Sequence, residues 1–205
     1  MENTIETSNQ IPKEILWEEF QEASKIILAG RKFDETIQYE KILKTVLRYF
    51  SGDENFNEEG IIQKANLNKG LLIIGNSKCV AKTVLLQIIQ KAGYEIYQKY
   101  GFERAFFSMS YASVFVNAYE FSKNSLRHDF DLTKAKLNPF LITDFGSEDL
   151  AFNDYELIGE ILESRYLSKA KTFITTDLSM LEISRRYGRK LAENIQEMCN
   201  IINWN

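Results

Sequence analysis

Several features that would mark a particular class of protein are scarce or missing in this chain of 205 residues. Proline occurs only at Pro12 and Pro139, and no glycine- or serine-rich stretch interrupts the chain, so the sequence predicts no flexible linker. The two cysteines, Cys79 and Cys199, lie far apart without a CxxC or Cys/His spacing, which indicates neither a disulfide framework nor a zinc site. No apolar run approaches the ~18 residues that cross a bilayer. We therefore expect a cytoplasmic protein without a membrane segment.

The charge balance argues against one further class. A net charge of −4 and an isoelectric point near 5.3 do not suit a protein that coats nucleic acid non-specifically, because such binding needs many lysines and arginines. A local basic face stays open. Hydrophobic residues make up 44% of the chain and aromatic residues 13%, enough to form the core of a single domain.

The order of apolar segments predicts the fold class. Two helices are expected first, at about residues 13–29 and 34–50, and the apolar run GLLIIG at 70–75 reads as a strand buried on both faces. The remaining segments alternate, with strands expected at 105–109, 139–143 and 172–176 and helices at 83–92, 111–121 and 155–167. This alternation is typical of an α/β fold with a central, mostly parallel sheet. We expect the strand 70–75 to lie between the strands that carry Asp144 and Asp177, so that their following loops meet at one sheet edge.

The loop after that first strand has part of a phosphate-binding signature. Its sequence is GNSKCVAKT, from Gly75 to Thr83, placed between a buried strand and a helix. A working loop has the form GxxxxGK[ST], in which backbone N–H groups and the lysine bind phosphates and the hydroxyl holds Mg²⁺. Lys82 and Thr83 fit the last two positions.

The other positions of this loop fit poorly. Counting back from the lysine, Asn76 and Ala81 stand where glycines are expected, so any backbone with positive φ there costs about 1 kcal/mol or more. Lys78 adds a second positive charge that could partly compensate. An ordinary strand–helix connection with a capping Lys-Thr is the alternative interpretation.

A second segment, PFLITDFGSE at 139–148, is an apolar strand that ends in a carboxylate. Such an acid can reach Mg²⁺ and its bound water from a rigid strand end. Asp144 and Glu148 are the predicted catalytic residues, and Thr83 with Asp144 are the predicted metal ligands. Thr143 stands directly before the aspartate, where a second acid would be expected.

These segments resemble the helicase-loader ATPases of the DnaC type and the related transposition ATPases of the IstB type, a branch of the AAA+ P-loop NTPases. The matching stretches are NKGLLIIGN (68–76), LITDFGSE (141–148), SRY (164–166), FITTDL (173–178), RYGR (186–189) and EMCNI (197–201). The resemblance covers roughly residues 33–204. It implies a three-layer AAA+-like core at residues 61–205, with an N-terminal helical extension at 1–60 that we expect to pack on that core.

The resemblance also implies a function. It implies ATP and Mg²⁺ as cofactors, bound at subunit interfaces, and a replicative helicase or a transposase-like protein as partner in DNA replication or mobile-element biology. Single-stranded DNA and further copies of the chain are additional expected partners. The predicted nucleotide-binding residues are Gly75, Asn76, Lys78, Ala81, Lys82, Thr83 and Asp177.

The departures from the family fall at chemical positions. Thr143 replaces one of two consecutive acids, Asp177 replaces an asparagine that senses the terminal phosphate, and Glu193-Asn194 replaces a Ser-Arg pair that is a candidate arginine finger. We therefore predict weak ATP binding with little hydrolysis. The alternative is a pseudo-ATPase that keeps the fold as a protein-binding module without nucleotide.

Two groups of basic residues have alternative interpretations. Arg185, Arg186, Arg189 and Lys190 form a basic cluster that could meet DNA or a neighbouring nucleotide, although a solvated helix face is the more common arrangement. Arg165 could act on a neighbouring subunit's nucleotide, although a buried or surface ion pair is the more common arrangement.

Overall fold

The computed structural model describes residues 10–31, 37–76, 81–124 and 132–204. Residues 77–80 in the middle of the loop, Lys78 among them, therefore lie outside the described residues. The strands are β1 (Gly70–Gly75), β2 (Ser108–Tyr111), β3 (Phe140–Phe145), β4 (Thr172–Thr176) and β5 (Cys199–Trp204). The helices are α1 (Lys13–Leu28), α2 (Ile37–Ser51), α3 (Ala81–Tyr100), α4 (Ala112–Asn124), α5 (Leu132–Leu137), α6 (Leu157–Leu167), α7 (Met180–Tyr187) and α8 (Arg189–Met198).

The five strands form one parallel sheet in the order β2-β3-β4-β1-β5. Every residue of β1 and β4 is buried, as expected for interior strands of a parallel sheet with helices around it. The predicted α/β class with a mostly parallel sheet is confirmed.

One part of the predicted strand order is wrong. β4, which leads to Asp177, does flank β1, but β3 with Asp144 lies one strand further away, and β5 is the other neighbour of β1. β5 has no clear strand pattern in the sequence, since Asn200 and Asn203 interrupt its apolar residues. In the structure Asn200 is buried and satisfied: its side-chain amide donates to the Asn66 and Gly70 carbonyls, at 2.9 and 3.0 Å.

Parallel pairing brings the strand ends of the predicted site together. Ile74 of β1 lies opposite Thr176 of β4, and Phe145 of β3 lies opposite the same threonine. Gly75 and Asp177 directly follow these paired residues and Asp144 directly precedes one, so all three lie at one carboxyl edge of the sheet, where ligands of such folds bind.

One face of the sheet is covered by α4, α6 and α8 with an apolar core. Its largest contributions come from β1, β3, α4, α6 and α8, among them Leu72, Ile74, Phe115, Phe140, Ile142, Phe145, Leu157, Ile158, Ile161, Leu162, Leu191 and Ile195. Burying such side chains stabilises a fold by about 1.5–3 kcal/mol each before entropy is counted. This core fixes the strand ends on which the site depends.

The chain divides into two compact units. The first holds the described residues up to Ile61 together with Val84–Phe107, and the second holds Ile62–Thr83 and the described residues from Ser108 onward. The sheet and those predicted site residues that the structure describes belong to the second unit. Inside the first unit, Lys99 of α3 binds Glu19 of α1 at 2.7 Å, and the Phe50 and Phe107 rings stack at 5.7 Å. The domain limits of 1–60 and 61–205 stay a prediction.

Several element limits differ from the sequence prediction. α3 continues to Tyr100, and β2 begins three residues later than expected. The short α5 and the helices α7 and α8 were not predicted, although α7 has a readable start: Ser179 accepts a hydrogen bond from the Glu182 amide in a capping box. Within the described residues, no helix is both long and apolar enough to cross a membrane.

Candidate functional site

The candidate site lies at the carboxyl edge of β1, β3 and β4. Gly75 ends β1, Lys82 and Thr83 stand in the first turn of α3, Asp144 lies near the end of β3, and Asp177 directly follows β4. The structure therefore brings most of the predicted site residues to one edge. Asn76 and Ala81 border the loop, whereas Lys78 lies outside the described residues.

The strongest electrostatic feature of this edge is an ion pair between Lys82 and Asp177. The Lys82 Nζ lies 2.6 Å from Asp177 Oδ1. Only 4% of the lysine side chain is exposed, whereas 48% of the aspartate side chain is. A buried ammonium is costly without an anion, so this carboxylate compensates the lysine charge within the chain itself.

Thr83 belongs to a second, smaller network of hydroxyls and one carboxylate. Its Oγ1 donates to Asp144 Oδ1 at 3.1 Å and lies 3.0 Å from the Thr175 Oγ1. The Thr175 hydroxyl also accepts a hydrogen bond from the Asp144 backbone N–H at 3.2 Å. These three groups hold one another in a closed ring. Thr175 was not among the predicted site residues. The only sequence signal for it is its position near the end of the predicted strand 172–176, two residues before Asp177.

The backbone of Asp144 contributes to this geometry. Its φ of 55° lies in the left-handed region, which aspartate adopts more readily than most residues. Such a conformation costs of order 1 kcal/mol and persists where the surroundings hold it, as at many functional sites. Here the hydrogen bond from the Asp144 backbone N–H to the Thr175 hydroxyl holds this conformation.

The ring is chemically suited to a magnesium ion. Carboxylate and hydroxyl oxygens are hard ligands, and Mg²⁺ in phosphate sites takes only one or two carboxylates, the rest being waters and phosphate oxygens. Thr83 would supply a hydroxyl ligand and Asp144 a carboxylate ligand. No cluster of three or more acidic, histidine or cysteine ligands occurs among residues 10–31, 37–76, 81–124 and 132–204, so an ion held by protein groups alone is not indicated there.

The position before Asp144 is part of the protein interior. Thr143 is fully buried, and its hydroxyl donates to the Ser110 carbonyl of β2 at 3.4 Å. A threonine there satisfies its one donor against the neighbouring strand. The site accordingly has one strand-end acid, not two.

Glu148 lies in a buried network within the loop that follows Asp144. Its carboxylate accepts from the Gly146 N–H at 2.8 Å and from the Tyr187 hydroxyl, and it lies 3.7 Å from the Arg186 guanidinium. Burial, followed by the nearby Glu148 charge, raises the pKa of Tyr187. With 1% of its side chain exposed, Glu148 organises this loop. Its predicted catalytic role stays a prediction.

Arg186 is a second residue whose place the sequence did not reveal. Its guanidinium donates to the Gly146 carbonyl at 2.5 Å, to the Glu148 carbonyl at 2.7 Å and to Glu156 Oε1 at 2.9 Å. It thereby ties α7 to the loop after β3. Of the predicted basic cluster, Arg185, Arg189 and Lys190 are exposed, and Arg189 pairs with Glu193 one turn further along α8.

Arg165 is fully buried, which overturns the alternative that it reaches a neighbouring subunit. Its guanidinium donates to the Thr172 hydroxyl at 3.0 Å, to the Lys171 carbonyl at 2.6 Å and to the Ala135 carbonyl. Among the residues that the structure describes, no carboxylate lies within ion-pair distance. Burial lowers the pKa of this guanidinium to about 10. Arg165 is thus a structural cation, and the expected ion pair is also absent.

Comparison with known proteins supports the fold assignment. No protein-family model matches the chain, and no curated protein matches its sequence. Among solved structures, the DnaC helicase loader is similar over 86% of this chain and 95% of that one, with a TM-score of 0.60 and 22% identity.

The chain has the fold of a DnaC-type helicase loader. DnaI is similar over 94% of each chain, with a TM-score of 0.56 and 20% identity. A candidate primosome component from Streptococcus pyogenes serotype M3 is similar over 83% of this chain and 81% of that one, with a TM-score of 0.54 and 17% identity. These identities establish the fold alone.

Proposed function

We propose that this chain is a helicase-loader-like AAA+ protein that binds a replicative helicase and binds ATP weakly, with little hydrolysis. The observation that carries the proposal is the juxtaposition at one sheet edge of Lys82, Thr83 and Asp144, with Asp177 on the lysine. The first three are the groups that a P-loop site uses for phosphate and metal. The fourth opposes an incoming anion.

Weak binding follows from the state of Lys82. A nucleotide must compete with a carboxylate that already lies 2.6 Å from the ammonium. Phosphate then replaces one charged partner by another, and the net gain is smaller than for an unpaired lysine. The sequence GNSKCVAKT adds a second handicap, because no glycine follows Gly75 to let the backbone close on phosphates.

Slow hydrolysis follows from the surroundings of the strand-end acid. Thr143 leaves Asp144 as the single carboxylate at the end of β3, and Glu148 is engaged by Gly146, Tyr187 and Arg186. Asn194 stands where the family resemblance implies an arginine finger. Losing such a group alone lowers the rate of phosphoryl transfer by about 10³–10⁵.

A pseudo-ATPase is the second candidate, and the same ion pair favours it. If the lysine and Asp177 stay paired, the site needs no ligand to satisfy its charges, and the fold then serves as a protein-binding module. The two candidates differ in one observable, since only the first predicts nucleotide binding that depends on Lys82.

The partner is proposed from the fold and the resemblance together. A replicative helicase is the first choice, because one of the similar structures, DnaC, is a helicase loader by name. Single-stranded DNA, further copies of the chain and a transposase in a mobile element are the other proposed partners. Cytoplasmic localisation is part of the same proposal.

The deciding experiment combines nucleotide titration with a helicase-binding assay. Wild type, Lys82→Ala and the control Lys64→Ala, an exposed lysine in a turn before β1, are titrated with ATP and Mg²⁺ and tested for phosphate release. We expect weak binding by wild type and the control, none by Lys82→Ala, and turnover far below about 1 s⁻¹. Turnover near that value would refute the degenerate-site proposal. Absence of ATP binding with retained helicase binding would establish the pseudo-ATPase instead.

A further inference from the structure

The pair of Lys82 and Asp177 also bears on which nucleotide the site prefers. We propose that Asp177 makes the site select nucleoside diphosphates over nucleoside triphosphates, an inference that rests on the proposed nucleotide binding at Lys82. Asp177 would then be the specificity-determining residue of the site, although it need not touch the nucleoside.

The distance between the two charged groups sets the geometry. Asp177 Oδ1 lies 2.6 Å from the Lys82 Nζ. A phosphate oxygen bound to the same nitrogen at the usual 2.7–2.9 Å therefore lies within about 5.5 Å of that carboxylate oxygen. At that separation at most one water molecule fits between the two anions while both bind the lysine.

The carboxylate is also held in place through its backbone. The hydroxyl of Thr176, the preceding residue, donates to the Phe145 carbonyl of β3 and accepts from the Leu178 N–H at 3.0 Å. The segment 176–178 is therefore fixed at the end of β4. Asp177 can rotate its side chain, but it cannot leave the edge of the site.

The number of phosphates decides how much repulsion results. In a P-loop the lysine reaches both the β- and the γ-phosphate of a triphosphate, whereas a diphosphate presents only its terminal group. One ammonium that already neutralises a carboxylate can balance one phosphate better than two. Because Lys82 is almost completely buried, water screens these charges less than at an exposed site.

A bridging metal would give the opposite result. If Mg²⁺ joined Asp177 to the γ-phosphate, the carboxylate would favour triphosphate, and the preference would disappear without the metal. The structure favours repulsion, since the ring of Thr83, Thr175 and Asp144 offers the metal its oxygens, while Asp177 is occupied by the lysine.

Calorimetric titration with ADP and with ATP, each with and without Mg²⁺, tests the inference. The variants are wild type, Asp177→Asn, which keeps the size of the side chain, and Asp154→Asn, the same change at an exposed turn. We expect wild type and Asp154→Asn to bind ADP on the order of tenfold more tightly than ATP. Asp177→Asn should bind both more tightly and bring their ratio close to one.

The outcomes separate this inference from the proposed function. Equal affinities in wild type, or a ratio unchanged in Asp177→Asn, would overturn the inference while leaving Lys82-dependent nucleotide binding intact. Tighter binding of ATP that needs both Mg²⁺ and Asp177 would overturn it in favour of a bridging metal. If neither variant binds either nucleotide, both the inference and the proposed nucleotide binding fail.

Discussion

Lys82 and Arg165 are both cations buried in the second unit, and they differ in what holds them. Arg165 is surrounded by two carbonyls and a hydroxyl, and none of its partners is an anion. Lys82 pairs with a carboxylate that is half exposed to solvent. A cation fixed by neutral backbone groups has no partner to exchange, whereas one paired with an accessible anion can exchange that anion for another. Burial alone therefore does not identify a functional cation. Whether its partner is a neutral buried group or an accessible anion does.

The largest expected effect comes from removing the structural cation. Arg165→Met should lower the free energy of unfolding by about 3 kcal/mol, because the buried Ala135 carbonyl and the buried Thr172 hydroxyl each lose a guanidinium donor, whereas the Lys171 carbonyl keeps the Phe140 N–H. Urea unfolding followed by circular dichroism measures this. The control is Arg189→Met, whose pair with Glu193 is exposed to solvent and should contribute little to stability. A loss below about 1 kcal/mol for Arg165→Met would remove the basis of the comparison.

The sequence predicted the scaffold of the site better than its electrostatics. The strands at 70–75 and 172–176 were predictable, since each is a short apolar or β-branched run, and the loops after them pointed to Lys82, Thr83, Asp144 and Asp177. Which of these groups contact one another depends on strand order, because positions 82 and 177 approach only through the pairing of β1 with β4. Periodicity carries no information on that pairing.

The same limit explains the other differences. Thr175 and Tyr187 look like ordinary strand and helix residues in the sequence, and their roles arise from neighbours far away in the chain, Thr83 and Glu148. The burial of Arg165 was equally unpredictable, since its acceptors come from three separate positions, among them the carbonyl of Ala135 in the unpredicted α5.

A smaller effect, caused by Cys199, should appear in the pH dependence of stability. Burial raises the pKa of Cys199 to about 12, against an ordinary value near 9, although the Arg165 charge opposes the shift. The folded thiol therefore stays neutral and gives Arg165 no anion at neutral pH. Because the pKa of Cys199 is higher in the folded than in the unfolded chain, burying the neutral thiol contributes fully to stability below about pH 9. This contribution is lost as the pH rises from about 9 to 12.

Urea midpoints measured at pH 8, 9.5 and 10.5 test this for wild type and Cys199→Ala. We expect wild type to lose on the order of 1–2 kcal/mol between the first and last pH, and Cys199→Ala to lose less over the same interval. Tyr100→Phe, in which the hydroxyl of an exposed tyrosine of α3 is removed, is the control for general alkaline destabilisation. Parallel curves for wild type and Cys199→Ala would contradict the assigned titration.

The smallest expected change in stability is at Lys82, and it separates the two buried cations most directly. Lys82→Met keeps much of the side-chain volume and leaves Asp177 with nearly half of its surface in water, so solvent can take over the carboxylate. The free energy of unfolding should therefore change by no more than about 1 kcal/mol, far less than for Arg165→Met. Nucleotide binding should be lost in the same variant, because the ammonium that could exchange Asp177 for a phosphate is gone. Urea unfolding and ATP titration on one preparation measure both effects, and a stability loss as large as that of Arg165→Met would make Lys82 a structural cation whose pairing with Asp177 serves the fold.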